Sequence, residues 1–305
     1  FLFSFSFSFS FSTMAFGIWE LGYVYNWLDE LGISWLLWLL VPLFLYLPSY
    51  LSDAQYTGRA YKESSHSSFL TRYIASCFTT TSVEEEKGLI DPKGQYIFAM
   101  FPHHAMSFTH LLTVSNANSF DNIFPGERRR HAMASPLFFI PLFREILLKW
   151  GGVDASRPTL KRVLNKGQSV FVLPGGEHEQ LLSKYNEEIL YLQKRKGFCR
   201  LAVEHKVKLV PLYAFGESRL YHCSSFLLPF RLWLVHNLRM GIPLVFGRWL
   251  FLPLSAPLTL CVGRPIDVPE LLKKWEDEDG GSGEVDRTRE YTDKVHTIFM
   301  KEIER

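Results

Sequence analysis

No lysine or arginine precedes Arg59, so the apolar N-terminal residues lack the basic flank of a secretory signal. Neither charge sign dominates: 33 Lys+Arg stand against 31 Asp+Glu, for a net charge of +2. That balance excludes a polyanion-binding scaffold, and with it nucleic acid as the main partner. Cysteine is scarce. The four thiols, Cys77, Cys199, Cys223 and Cys261, lie 122, 24 and 38 residues apart, which fits neither a zinc motif nor a dense disulfide framework. They read as reduced thiols facing the cytosol. His110 and His178 have no Cys partner and no His-x-x-x-His spacing, so no metal site is expected.

What the chain does have is apolar mass. Of its 305 residues 47% are hydrophobic and 15% aromatic, a composition that excludes disorder and suggests membrane contact. Residues 1–14 carry a Phe-Ser alternation with no turn or partner, read as a low-complexity leader, an upstream extension ahead of Met14. Between Glu30 and Asp53 lie 22 uncharged residues, LGISWLLWLLVPLFLYLPSYLS. At about 1.5 Å per residue, a helix of that length crosses a bilayer core of roughly 30 Å. Pro42 and Pro48 leave two readings, two helical arms bent near Leu40–Pro48 or one straight span. Residues 15–62 are therefore expected as a hydrophobic helical membrane hairpin, with the Trp- and Tyr-rich stretch Ile18 to Leu28 in the interface. The flanking cations Arg59, Lys62 and Arg72 all follow it, which places the downstream domain on the cytosolic side.

Residues 63–94, rich in Ser and Thr, read as a linker. From residue 95 short apolar runs recur (Tyr96–Met100, Val170–Leu173, Lys208–Tyr213, Leu258–Val262) with helix-length patterns between them (Pro136–Trp150, Pro158–Lys166, Gly197–His205). This alternation predicts one α/β domain over 95–305 with a largely parallel sheet. Glu276–Glu284 reads as a loop before a closing helix that contains Val285, Tyr291, Val295, Ile298 and Phe299. Phe226 to Val262, broken by Arg231, Arg239, Arg248 and several prolines, reads as part core and part surface pressed against a bilayer.

In an open parallel sheet, ligands gather at the carboxyl ends of the strands. The loops there hold Phe101-Pro102-His103-His104, Pro174-Gly175-Gly176-Glu177-His178-Glu179 and Ala214-Phe215-Gly216-Glu217. Histidines, carboxylates and exposed amides on one edge are the parts of an acid–base site with an oxyanion pocket. With no obvious Ser or Cys nucleophile beside them, they suit direct transfer of an acyl group to an alcohol deprotonated by histidine. The cationic clusters Arg128-Arg129-Arg130 and Lys194-Arg195-Lys196 read as either anion-binding groups or a solvated turn near anionic lipid.

The blocks YIFAMFPHHAMSF, FPG at Phe124–Gly126, PLFRE to GG at Pro141–Gly152, VLPGGEHEQL at Val172–Leu181 and RKGFCRLAVEHKVKLVPLYAFGE at Arg195–Glu217 resemble, in order and spacing, those of the type-2 diacylglycerol acyltransferase family. The resemblance covers roughly residues 20–305. It implies a glycerolipid acyltransferase-like domain behind the hairpin, with His103 as catalytic base and Glu179 as its carboxylate, Glu177 and Glu217 being alternatives. It also implies that Pro102, His104, Gly175, Gly176, Arg195, Gly197 and Glu217 line the substrate site. The family block reads His-Pro-His-Gly or Glu-Pro-His-Ser, so Phe101 and His104 are departures. A bulky ring in place of Gly or Ser is expected to reshape the acceptor pocket or lower activity. Related enzymes pair the histidine with an Asp five residues on, where Phe108 stands here, and Arg157 matches their phosphate-contacting Arg but reads here as structural or CoA-facing.

The resemblance implies an acyl-CoA:diacylglycerol O-acyltransferase that forms triacylglycerol, with acyl-CoA as co-substrate and no cofactor. The alternatives are a monoacylglycerol or fatty-alcohol acceptor, and a catalytically silent membrane or lipid-droplet homologue. The implied partners are acyl-CoA, diacylglycerol and membrane lipid, with a homo-oligomer also open. The implied location is the endoplasmic reticulum membrane and the lipid droplet surface, with the catalytic domain cytosolic.

Overall fold

The computed structural model describes residues 35–62, 80–84, 88–238, 241–250, 252–278 and 287–304, with isolated residues between 22 and 76. The leader 1–14 lies outside them. Two compact units result, Phe1–Asp53 and Ala54–Arg305. In the first, helix α1 (Trp35–Tyr50) is apolar on all sides and runs through Pro42 and Pro48. Its 16 residues correspond to about 24 Å, and among the described residues no helix is long and apolar enough to cross a membrane. The expected membrane hairpin is therefore not supported: α1 runs through both prolines as one helix rather than bending into two arms near Leu40–Pro48, and no full span is found among the described residues.

In the second unit every residue of Tyr96–Phe101 is both apolar and buried, so this strand needs cover on both faces. It is β2, the middle strand of a seven-stranded sheet. The others are β1 (Thr80–Glu84), β3 (Arg129–Met133), β4 (Gly152–Asp154), β5 (Ser169–Val172), β6 (Lys208–Phe215) and β9 (Leu258–Val262), while β7 (His222–Cys223) and β8 (Val245–Phe246) form a separate pair. The order is β1-β9-β6-β2-β5-β3-β4. From β6 to β4 all neighbours are parallel, β9 runs antiparallel to β6, and β1 is parallel to β9. The expected largely parallel α/β sheet is present.

The helices are α2 (Ala54–Thr57), α3 (Phe108–Val114), α4 (Phe143–Lys149), α5 (Arg157–Asn165), α6 (Gly176–Leu182), α7 (Gly197–His205), α8 (Leu228–Leu238), α9 (Val268–Glu278) and α10 (Thr288–Ile303). Successive β2 side chains divide between two cores. Ile97, Ala99 and Phe101 pack with Leu160, Phe198, Val295 and Phe299 on one face, and Tyr96, Phe98 and Met100 with Phe120, Phe124 and Phe171 on the other. That is the alternation a pleated strand imposes.

Four expectations change. The segment 63–94, read as a linker, supplies β1 to the sheet. Residues 54–62, placed in the hairpin, belong to the second unit, where Arg130 Nε donates to the Gly58 carbonyl at 3.1 Å and its guanidinium stacks on Tyr61 at 4.8 Å. Pro136–Trp150 is not one helix. Pro141 separates a 3-10 turn, Ser135–Phe139, from α4, because proline removes the donor that a continuous helix needs. In the stretch Glu276–Glu284, read as a loop, the helix α9 continues to Glu278, and residues 279–284 lie outside the described residues.

Candidate active site

The strands β6, β2 and β5 are neighbours and parallel, so their carboxyl ends bring Glu217, His103 and the Gly175–Glu179 turn to one edge. His103 stands two residues after the end of β2 and is partly exposed. Its Nδ1 lies 2.9 Å from the main-chain carbonyl of His104. A carbonyl only accepts, so the proton sits on Nδ1 and Nε2 keeps its lone pair. Burial pushes the imidazole below its ordinary pKa, against the opposing pull of the His104 carbonyl and the Glu179 charge. A neutral ring with Nε2 unprotonated is the form a general base requires.

Glu179 is fully buried on α6. One carboxylate oxygen accepts the main-chain N–H of His103, and the other accepts that of Tyr191 at 2.8 Å. The carboxylate implied as the partner of His103 thus grips the peptide that carries the ring rather than the ring itself. Gly175 makes this packing feasible, because a Cβ there would stand 2.2 Å from Glu179 Oε2 and 2.3 Å from its Cδ. The same helix holds the loop again through Gln180, whose side-chain amide donates to the Ala105 carbonyl at 2.8 Å.

Glu217 is also buried, against the start of α3. Its two oxygens accept the N–H groups of Phe108, at 3.3 Å, and Thr109, the orphan donors at the start of α3. Burial pushes its carboxyl up to about 7, against the pull of these hydrogen bonds. Gly216, at φ +95°, turns the chain so that Glu217 can enter, and a Cβ there would meet the Pro257 carbonyl at 2.1 Å.

His104 adopts the left-handed conformation that favours glycine, at φ +46°. Its ring, expected to intrude on the acceptor pocket, is buried, with Nε2 3.1 Å from Glu188 Oε2. Ser218 Oγ donates to Glu188 Oε1 at 2.7 Å, and Tyr213 OH approaches Oε2 at 3.4 Å. Although burial opposes it, the hydrogen bonds from His104 and Ser218 hold the Glu188 carboxyl below its ordinary value. Glu188 escaped the sequence reading because it lies in a polar connection between α6 and α7, with no spacing to mark it.

Behind His103 runs a buried polar chain. Arg129 Nε donates to His131 Nε2 at 3.3 Å, and His131 Nδ1 lies 3.2 Å from His110 Nε2. Because arginine only donates, His131 carries its proton on Nδ1 and passes that hydrogen bond to His110 Nε2. Burial, with a smaller effect of His103, pushes His110 down to about 3, so this ring is neutral. For two of the three arginines the expectation is corrected, while Arg128 stays partly exposed and donates to the Lys93 carbonyl. Arg129 and Arg130 are buried in β3, Arg129 paired with Asp121 at 2.6 Å, rather than presented to substrate or lipid phosphate.

The remaining expected residues separate. Pro102 is buried between β2 and His103, and the Phe101 ring points into the core against Tyr213 and Phe299. Gly176, at φ +56°, opens α6, where Glu177 lies partly exposed. Arg195 stands 5.2 Å over the Tyr191 ring, which stacks on His178, the residue before Glu179. Gly197 is exposed at the start of α7, outside the His103 cluster. Arg157 pairs with Glu204 at the surface.

A histidine with its base nitrogen unprotonated, at the carboxyl edge of a parallel sheet and anchored by a buried carboxylate, defines a site for acid–base group transfer. Residues 33–304 match the diacylglycerol acyltransferase family, and the chain belongs to it. It is 38% identical over 205 residues to human (Homo sapiens) 2-acylglycerol O-acyltransferase 3, covering 62% of this chain and 60% of that protein. It is 30% identical over 225 residues to mouse (Mus musculus) diacylglycerol O-acyltransferase 2-like protein 6 (66% and 65% covered) and 28% over 246 to Umbelopsis ramanniana diacylglycerol O-acyltransferase 2B (76% and 70%). The matched chain thus spans 60–65% of the first two relatives' lengths. A solved structure, the 1-acyl-sn-glycerophosphate acyltransferase PlsC from Thermotoga maritima, aligns over 91% of this chain and 93% of its own, with 15% identity and a TM-score of 0.42.

Proposed function

We propose that the chain is an O-acyltransferase that moves a fatty acyl group from acyl-CoA to the free hydroxyl of diacylglycerol, forming triacylglycerol. The observation that carries this reading is the His103 ring, with Nδ1 committed to a carbonyl and Nε2 available as base, in a chain of this family. His103 Nε2 removes the hydroxyl proton as the alcohol oxygen attacks the thioester carbonyl carbon. The tetrahedral intermediate then collapses, the C–S bond breaks, and the departing CoA sulfur takes the proton back from His103. Ester and free CoA leave, no covalent enzyme intermediate forms, and Glu179 keeps the His103 peptide in place throughout.

Both substrates are lipids, and an apolar surface lies beside the site. α8 packs on α6 and exposes Phe230 and Trp233, while Phe226, Trp249 and Leu250 are exposed on the flanking chain. With α1, these side chains support attachment to a membrane, and we assign the protein to the endoplasmic reticulum membrane and droplet surface with the catalytic unit cytosolic. A monoacylglycerol acceptor is a second reading, favoured by the 38% identity to the human 2-acylglycerol O-acyltransferase. Membranes containing the protein, given labelled acyl-CoA and each acceptor in turn, distinguish the two. His103→Ala should lose acyl transfer by about 10²-fold or more while membrane association survives. Wild-type turnover in that variant would refute the base assignment, and triacylglycerol at background rates would refute the acceptor.

A further inference from the structure

We propose that Glu188, which lies outside every recognised block, is a positioning residue for His103 and acts through His104. The proposal deepens the reading of His103 as base and rests on it. His104 joins two contacts in one residue: its carbonyl holds His103 Nδ1 at 2.9 Å, and its ring holds Glu188 at 3.1 Å. Between them lies a backbone at φ +46°, a conformation that disfavours a side-chain-bearing residue. The ring–carboxylate contact is the interaction that offsets this cost, because the ring is buried and its Nε2–H needs an acceptor.

Glu188 is itself fixed from the far side. Its Oε1 accepts from Ser218 at 2.7 Å, and the Asn186 N–H donates to the Ser218 carbonyl at 2.8 Å. Ser218 lies in the turn that follows β6, so the carboxylate ties the end of β6 to the loop that leaves β2. The hydrogen bonds that keep this group ionised are the same ones that position it. Remove Glu188, and His104 can relax out of the left-handed region and swing its carbonyl. His103 then loses the acceptor that selects its tautomer.

The test uses the full chain in membranes and measures kcat, KM for acyl-CoA and thermal midpoint for Glu188→Ala, Glu188→Gln, His104→Gly and the Glu188→Ala/His104→Gly double variant. Glu188→Ala should lower kcat about tenfold or more with KM changed less than twofold. Glu188→Gln keeps an acceptor oxygen and should recover most of the loss. In the His104→Gly background, where no ring needs holding and glycine suits the backbone, Glu188→Ala should cost nothing further. Ser218→Ala, which releases Glu188 Oε1, is the milder second variant should Glu188→Ala fail to fold; about a threefold loss is expected, absent in the His104→Gly background. A wild-type kcat in Glu188→Ala, or the same fold loss with and without the His104 ring, overturns the proposal. His103→Ala run in parallel separates the two claims: activity surviving there overturns the base reading and this proposal together, whereas an inactive His103→Ala beside a normal Glu188→Ala overturns only the positioning role.

Discussion

Replacing Glu179 by glutamine changes one oxygen to NH2 and leaves size and shape almost untouched, yet the geometry predicts a large loss. Two main-chain donors, the N–H groups of His103 and Tyr191, converge on the two carboxylate oxygens. An amide has one acceptor oxygen, so it can serve only one of them, and the other donor faces an NH2 group. The lost interaction is a buried hydrogen bond to a charged group, about 1.5–3 kcal/mol, and the stranded donor adds to it. At about 1.4 kcal/mol per tenfold, a deficit of that size felt in the position of His103 lowers kcat roughly 10- to 100-fold. The assay is initial-rate acyl transfer with both substrates varied, so that kcat and KM are resolved, with thermal midpoint measured alongside. Glu177→Gln is the control, since Glu177 lies partly exposed on the same helix, and it should change kcat less than twofold. A Glu179→Gln enzyme with near-normal kcat, or a larger loss in Glu177→Gln, would refute the anchoring role of Glu179.

Glu217 gives a pH signature. Its folded pKa of about 7 lies above the ordinary 4.5, so the stability linked to its protonation is fully present below about pH 4.5 and is lost as pH rises through 7, an upper limit of about 3 kcal/mol. The thermal midpoint of Glu217→Gln should therefore vary less between pH 5 and pH 8 than that of the wild type, and parallel curves would remove Glu217 as the source. Gly216→Ala places a Cβ 2.1 Å from a carbonyl at φ +95° and should lower the thermal midpoint by several degrees, whereas an unchanged midpoint would show that the turn can be rebuilt. Deleting Trp35–Leu51 should weaken sedimentation with liposomes without abolishing it, because burial of each exposed ring around α8 is worth about 1.5–3 kcal/mol. Adding Phe230→Ser and Trp233→Ser should then release the protein, and retention would place the attachment elsewhere.

How much of this was legible depended on where a residue's partners lie. Leu258–Val262 and Gly197–His205 match their elements end to end, and Tyr96–Met100 falls one residue short of β2, because apolar runs and turn residues announce strands and helices locally. The strand Arg129–Met133 stayed hidden. Its arginines and His131 look like solvated surface until the Phe124 carbonyl, Asp121 and Gly58 are folded around them, and no local pattern encodes those acceptors. The loops that hold His103, Glu179 and Glu217 were found from strand ends alone. Their actual couplings, carboxylate to peptide rather than carboxylate to ring, are set by side-chain directions and turns 76 to 109 residues apart in sequence. Glu188 needed the folded chain altogether.

The acceptor that selects the His103 tautomer is a carbonyl, and every amino acid carries one. No substitution at position 104 can delete that partner; it can only move it. What a substitution there changes is the angle of the peptide, which the ring of His104 now helps to set through Glu188. The tautomer of His103 thus depends on the angle of one peptide, and what sets that angle lies outside position 104 as well as at it.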